Sequence, residues 1–163
     1  MAWTKVSPAV KPINQPTSST CWYVCLQMLF IWKGRDPADI LNTLNADPDI
    51  FPDYWLVNGI STYNCLQIAR CLKMGCAGEG EADGEVLANA LRTHGPYWVA
   101  GEWKKGSPHV IVVTGCNPET GKIKLINPWN NFDLSESEDL LENFNNRGKV
   151  WGNTFGTMIY WSP

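Results

Sequence analysis

The spacing of hydrophobic residues along the chain changes character after residue 95. Before that point, apolar residues recur at the three- and four-residue intervals typical of helices. Residues 21–33 are apolar nearly all round, follow a cluster of Ser and Thr that can cap a helix, and precede Gly34. This pattern predicts a buried central helix. Shorter helices are predicted over residues 36–45, 61–74 and 83–93.

After Gly95 and Pro96, apolar residues occur in short runs rich in β-branched and aromatic side chains. The turn sequences Lys-Gly-Ser-Pro and Asn-Pro-Glu-Thr-Gly separate these runs. Such alternation of short runs with turn residues predicts consecutive antiparallel strands. The predicted strands cover residues 97–103, 109–115 and 122–129.

The end of the chain mixes the two patterns. Ser135 and Glu138 have the spacing of a capping box, which predicts a helix over residues 135–144. Residues 151–161 predict one or two closing strands. A helical first half followed by a mostly β second half predicts an α+β fold.

Length and charge narrow the class of protein. The 163 residues fall in the range of one domain, so we expect a single domain over residues 1–163 with a substantial hydrophobic core. With 13 basic and 16 acidic residues, the formal net charge is −3, which argues against a nucleic-acid partner.

Neither a membrane span nor a secretory signal is predicted. No apolar run reaches the roughly 18 residues of a transmembrane helix, so no membrane insertion is expected. Residues 1–12 lack the apolar block of a signal peptide and contain two prolines. We therefore expect a cytosolic protein, a protein exported without such a signal, or part of a longer chain.

The six cysteines are interpreted one by one. They form no C-x-x-C pair, only two histidines accompany them, and a chain of this size needs no disulfide to fold, so a structural zinc site is weakly supported. Cys25, Cys65 and Cys71 lie among aliphatic residues at helical spacing, which predicts small buried hydrophobes. Cys21 differs because it stands at the predicted start of the central helix, directly after a polar loop.

Cys21 can belong to a nucleophilic site. A reactive thiolate needs a helix N-terminus, a histidine that accepts its proton, and a group that orients the histidine. His109 begins a predicted strand after a turn, and Asn127 ends the next strand. A hairpin of these strands would bring His109 and Asn127 side by side.

These residues resemble the pattern of the papain-like cysteine peptidases, most closely the compact bacterial branches with leader-processing peptidases and effector proteases. In that family a glutamine lies six residues before the catalytic cysteine, and a tryptophan follows the cysteine. A histidine begins an apolar strand, and an asparagine, often with a tryptophan close behind, follows about one hairpin later. The matching residues here are Gln15, Cys21, Trp22, His109, Asn127 and Trp129.

The resemblance implies a fold and a set of roles. The central helix would carry the nucleophile Cys21, and the antiparallel half would carry His109 as general base and acid. Asn127 would fix the imidazole tautomer, and Gln15 would donate its amide to the oxyanion. Trp129 would shield the contact between His109 and Asn127 from water.

The resemblance also implies a substrate and partners. The substrate would be a peptide or protein, cleaved through an acyl-enzyme with no metal and no cofactor. A bacterial effector or toxin domain of this kind commonly has a cognate immunity or inhibitor protein. Residues expected to line the substrate site are Trp22, Asn58, Gly59, Trp103 and Trp129.

Alternative interpretations remain open at this point. The same triad serves a deamidase or a transglutaminase-like acyl-transfer toxin, and a catalytically silent binding module is a third possibility. Asp133 could replace Asn127 as the orienting group. His94 ends a predicted helix, where a histidine is expected for helix-dipole reasons alone, so we expect it to be structural.

Overall fold

The computed structural model describes residues 2–17, 19–46, 59–60, 62–77, 83–104, 107–129, 136–151 and 158–162. Its helices are α1 (Cys21–Lys33), α2 (Ala38–Asn45), α3 (Thr62–Cys71), α4 (Gly84–His94) and α5 (Leu141–Trp151). Its strands are β1 (Thr4–Lys5), β2 (Gly75–Ala77), β3 (Tyr97–Lys104), β4 (Ser107–Asn117), β5 (Lys122–Ile126), β6 (Ser137–Leu140) and β7 (Met158–Tyr160).

The helices of the first half lie where the sequence predicts, with bounds that differ by at most three residues. Helix α1 ends at Gly34, whose φ of 78° is the left-handed conformation that glycine adopts without strain. Helix α4 begins after Asp83, whose carboxylate accepts hydrogen bonds from the backbone N–H groups of Glu85 and Val86. Such a cap satisfies donors that the helix itself leaves unpaired.

The strands form one sheet in the order β2, β7, β3, β4, β5, β6, and β1 pairs with β4. All pairs in the described part of the chain are antiparallel. The predicted α+β arrangement of a helical half and an antiparallel half is therefore confirmed. The sequence analysis missed β1 and β2, because two or three residues are too few to show an alternating pattern.

One predicted helix is wrong in its first half. Residues Ser137–Leu140 form a strand that pairs with β5, and helix α5 begins only at Leu141. The backbone of these residues pairs with β5 at four positions, from Lys122–Leu140 to Leu125–Ser137, and this pairing prevails over the local helical pattern. The proposed cap Ser135 lies outside the described residues, and so do residues 152–157 of the predicted closing strands.

Helix α1 packs across the middle of the sheet. The indole Nε1 of Trp98, in β3, donates to the carbonyl oxygen of Trp22 at 2.9 Å. The thiol of Cys25 donates to the carbonyl oxygen of Val110, in β4, at 3.5 Å. Both contacts are buried, so α1 has a fixed position against β3 and β4. Among the described helices, none has the length and hydropathy required to cross a membrane.

Candidate active site

Cys21 is the first residue of α1. Its side chain is 9% exposed, so the thiol lies just below the surface. The N-terminus of a helix carries a partial positive charge, which favours a thiolate over a thiol. The position predicted from the sequence is therefore the one that favours a nucleophilic sulfur.

His109 and Asn127 meet across strands β4 and β5. Val112 pairs with Ile126, so Asn127 emerges at the end of β5 beside the start of β4. The imidazole Nε2 of His109 lies 2.8 Å from the Oδ1 atom of Asn127. His109 is only 4% exposed, which protects this hydrogen bond from competition by water.

A second hydrogen bond decides the direction of the first. The backbone N–H of Trp129 donates to Asn127 Oδ1 at 3.0 Å, which identifies this atom as the carboxamide oxygen. Because an oxygen of this kind only accepts, His109 Nε2 must be the donor. In the neutral imidazole the proton therefore lies on Nε2, and Nδ1 carries the lone pair that can accept a proton from a thiol.

The packing of α1 places Cys21 one helical turn from a contact with strand β4. Cys25 lies one helical turn after Cys21, on the same face of the helix, and its thiol contacts Val110. Val110 directly follows His109. The start of α1 therefore lies one helical turn from a residue that contacts the chain neighbour of His109.

Four of the other five thiols lie in environments that suppress ionisation. Burial, with a smaller contribution from the charge of Cys21, raises the pKa of Cys25 well above its usual value. Burial also raises the pKa of Cys65 and of Cys116, and it raises the pKa of Cys76 to about 11. All six cysteines are unbridged.

Gln15 lies in the loop before α1 and is 4% exposed. Its Nε2 atom donates to the carbonyl oxygen of Thr17 at 2.6 Å, and its backbone N–H donates to the carbonyl oxygen of Pro128 at 3.0 Å. The second bond ties the glutamine loop to the turn after Asn127. Two separate parts of the predicted site are thereby joined.

The residues expected to line the substrate site differ in location and in burial. A side chain at Gly59 would lie 3.7 Å from the carbonyl oxygen of Ser19, so Gly59 is adjacent to the loop that precedes Cys21. Trp22 does not line the substrate site as expected, because its side chain is completely buried in the core and offers no surface to a substrate. Trp129 is partly exposed next to Asn127.

Three of the predicted positions lie beyond what the structure describes. Asn58 and Asp133 lie outside the described residues, and of Trp103 only the backbone, in β3, is described.

The second histidine, His94, has a structural environment, as expected. Its Nδ1 atom lies 3.0 Å from the carbonyl oxygen of Trp161, and its ring packs against Tyr160. Since a carbonyl oxygen only accepts, Nδ1 is the donor in this bond.

Thr17 and Thr20 make contacts beyond the helix capping that the sequence predicts for the Ser and Thr residues before α1. In the structure, Thr20 makes no side-chain cap hydrogen bond, and its hydroxyl donates to the carbonyl oxygen of Thr17 instead. The three-residue spacing of the two threonines was the available signal, since it permits this local contact.

Comparisons with known proteins bear on the fold and on the family of the chain. No curated protein matches the chain. Among solved structures, the chain resembles the peptidase domain of Streptococcus ComA, a bi-functional ABC transporter involved in a quorum-sensing pathway. The TM-score is 0.57 at 14% sequence identity, over 93% of this chain and 96% of that chain, which supports the fold.

The sequence itself matches a family over most of its length. Residues 4–148 match the family described as papain-like cysteine protease AvrRpt2. This range contains the loop of Gln15, the start of α1, and both His109 and Asn127. The chain therefore belongs to this family and is a papain-like cysteine protease.

Proposed function

We propose that the chain cleaves a peptide or amide bond with Cys21 as nucleophile, His109 as general base and acid, and Asn127 as the orienting residue. The hydrogen bond between His109 Nε2 and Asn127 Oδ1 carries this proposal. It leaves the lone pair of Nδ1 as the proton acceptor, which is the arrangement that nucleophilic catalysis requires.

Acylation follows from these positions. The proton of the Cys21 thiol moves to His109 Nδ1, and the sulfur attacks the carbonyl carbon of the substrate. A tetrahedral intermediate forms, with negative charge on the former carbonyl oxygen. His109 then gives its proton to the leaving nitrogen, the carbon–nitrogen bond breaks, and a thioester to Cys21 remains.

Deacylation uses the same residues in reverse. A water molecule transfers a proton to His109 Nδ1 while its oxygen attacks the thioester carbon. The carbon–sulfur bond breaks, the acid product leaves, and the proton returns to the sulfur of Cys21. Because Asn127 holds the imidazole throughout, the ring need not reorient between the two steps.

Gln15 is proposed to donate an amide hydrogen to the oxyanion, together with the backbone N–H of Cys21. Donors of this kind act where negative charge develops, so they lower the barrier more than they improve substrate binding. The burial of Gln15 supports this role, because a donor excluded from water interacts more strongly with a developing charge.

A substrate groove beside Gly59 and Trp129 is a further part of the proposal. Gly59 lies next to the loop before Cys21, and Trp129 lies next to Asn127, so each position adjoins one of the proposed catalytic residues. The predicted Asn58 and Trp103 would extend this groove.

The remaining parts concern organisation and biological role. A single catalytic domain over residues 1–163 is supported by a hydrophobic core that extends from Val6 to Trp161. A role as a delivered bacterial effector or toxin, with a cognate inhibitor protein, is supported by the resemblance to compact bacterial peptidases.

The proposal is tested by incubating the protein with a proteome-derived peptide mixture and identifying new termini by mass spectrometry. Cys21→Ala is the matched control. We expect fragments that arise with the wild type and not with the variant. Intact peptides in which an amide has become an acid would identify a deamidase, and peptides joined to an added amine would identify an acyl transferase. No change with any substrate would favour a silent binding module.

A further inference from the structure

The carbonyl oxygen of Thr17 is a shared acceptor in the loop before Cys21. It receives hydrogen bonds from Gln15 Nε2 at 2.6 Å, from the hydroxyl of Thr20 at 3.0 Å and from the backbone N–H of Thr20 at 3.4 Å. This one oxygen therefore links the proposed oxyanion donor to the residue that directly precedes the nucleophile.

All the hydrogen bonds that the hydroxyl of Thr20 can form, one donated and two accepted, are formed with Thr17. It donates its hydrogen to the Thr17 carbonyl oxygen and accepts from the Thr17 backbone N–H at 3.4 Å and from the Thr17 hydroxyl at 3.2 Å. A hydroxyl has one donor and two acceptor sites, so none remains. Thr20 is 8% exposed, and water has little access to these bonds.

Helix capping does not explain this arrangement. Thr20 occupies the N-cap position of α1, where a threonine oxygen usually accepts from the first turn and stabilises the helix. Here the side chain makes no such bond and is directed back into the loop. The hydroxyl of Thr20 therefore stabilises the loop and not the first turn of the helix.

The Thr17 carbonyl also fixes which way the Gln15 amide faces. Only Nε2 can donate to a carbonyl oxygen, so a flipped amide would bring two oxygens together. One hydrogen of Nε2 is used in this bond, and a second remains for the oxyanion. In this orientation Gln15 Oε1 is buried with no hydrogen-bond partner among the described residues.

We infer that Thr20 is a positioning residue, which holds the Thr17 carbonyl in place so that the Gln15 amide presents its second N–H to the oxyanion. This inference rests on the proposed role of Gln15. The hydroxyl closes the loop between the two proposed oxyanion donors, Gln15 Nε2 and the Cys21 backbone N–H. Without it, only the 3.4 Å bond from the Thr20 backbone N–H links Thr20 to the Thr17 carbonyl, and the distance between these donors is less tightly fixed.

The test compares Thr20→Val, which removes the hydroxyl and keeps the shape, with Thr20→Ser, which keeps the hydroxyl. On a peptide that the wild type cleaves, we expect Thr20→Val to lower kcat about tenfold with KM unchanged, a smaller effect than loss of an oxyanion donor itself. Thr20→Ser should restore kcat to within about twofold. Rates are normalised to the fraction of molecules in which iodoacetamide labels Cys21 before the other five cysteines react, so that unfolded molecules are not counted.

A double variant separates positioning from general stability. In a Gln15→Ala background, Thr20→Val should lower kcat no further, because the side chain that Thr20 positions is gone. An equal loss in both backgrounds, or a normal kcat for Thr20→Val, would overturn the inference. If Gln15→Ala alone cleaves normally, the oxyanion assignment itself fails, and if Cys21→Ala cleaves, the proposed nucleophile fails.

Discussion

The two ends of helix α1 are built on opposite principles. At its C-terminal end, the N–H groups of Gly34 and Arg35 donate to the carbonyl oxygens of Ile31 and Phe30, which closes the helix by the common left-handed glycine motif. At its N-terminal end, the threonine at the cap position gives the helix no side-chain bond, and the buried amide oxygen of Gln15 has no hydrogen-bond partner in the part of the chain that the structure describes.

Tertiary contacts reinforce the C-terminal end of α1. Trp161 donates from its indole to the carbonyl oxygen of Leu29 at 3.0 Å. The guanidinium of Arg35 lies 5.3 Å from the centre of the Phe30 ring and 5.1 Å from that of Trp161, within cation–π range. These contacts of Trp161 and Arg35 hold the C-terminal end of α1 in place.

The difference shows how one helix serves two purposes. A buried unpaired acceptor such as Gln15 Oε1 destabilises the folded state by about 1–3 kcal/mol. This unfavourable contribution is tolerated at the N-terminal end of α1, which carries the proposed nucleophile. The contacts at the C-terminal end offset it. The two ends are about 20 Å apart, given a rise of about 1.5 Å per residue. Variants at the two ends should therefore separate activity from stability.

The largest expected effect comes from the two histidines, one at each end. His109→Ala should lower kcat by a factor on the order of 10⁴ or more, because it removes the group that accepts and returns the proton. His94→Ala should leave kcat within about twofold and lower the melting temperature, because it removes the contact with the Trp161 carbonyl. Steady-state kinetics and thermal melts on both variants measure this contrast. A loss of turnover in His94→Ala alone would reverse the assignment.

The next effect concerns thiol reactivity. At neutral pH, iodoacetamide should modify Cys21 at least about 100-fold faster than any other cysteine, since the helix start and His109 favour its thiolate. Because burial raises the pKa of Cys76 to about 11, its modification should increase only as the pH approaches that value. Peptide mapping by mass spectrometry at a series of pH values measures both rates. Early modification of Cys116 or Cys76 would remove the basis for choosing Cys21.

Substitution of Gln15 should lower activity without a matching loss of stability. Gln15→Ala should lower kcat by about 10² to 10³ with little change in KM, through loss of one oxyanion donor. Gln15→Leu should lower kcat equally and leave the melting temperature unchanged or higher, because it also removes the unpaired Oε1 and fills the same space. Kinetics and melts on the same samples provide the measurement. A normal kcat for both variants would assign the oxyanion to another group.

The sequence predicted the parts of the site that depend on local pattern. The start of α1 at Cys21 follows from the polar loop before an apolar run, and the meeting of His109 with Asn127 follows from a hairpin. The strand at Ser137–Leu140 was assigned to a helix, since its local spacing fits a capping box and only pairing with β5 decides otherwise. Such pairing is a tertiary effect that local propensity does not contain.

Other features depend on which atoms meet after folding. Trp22 adjoins the nucleophile in the sequence, yet the helix turns its side chain by about 100° from Cys21 and into the core. The bond from Gln15 to Pro128 joins residues far apart in the chain, so no spacing could reveal it. The role of Thr20 depends on the direction of one hydroxyl, which the residue type leaves open between cap and loop.

The smallest expected effect is at Gly34, where the left-handed conformation closes α1. A Cβ at this position would meet no atom within 4 Å, so the penalty for Gly34→Ala is conformational and not steric. We expect it to lower the free energy of unfolding by about 1 kcal/mol and to leave kcat within about twofold. Urea unfolding and peptide cleavage measure the two quantities. Gly121→Ala, at another left-handed glycine with open space around it, is the matched control for the conformational penalty away from α1. A tenfold fall in kcat for Gly34→Ala, without one in the control, would mean that the two ends of α1 are coupled and that stability and catalysis are not separated along this helix.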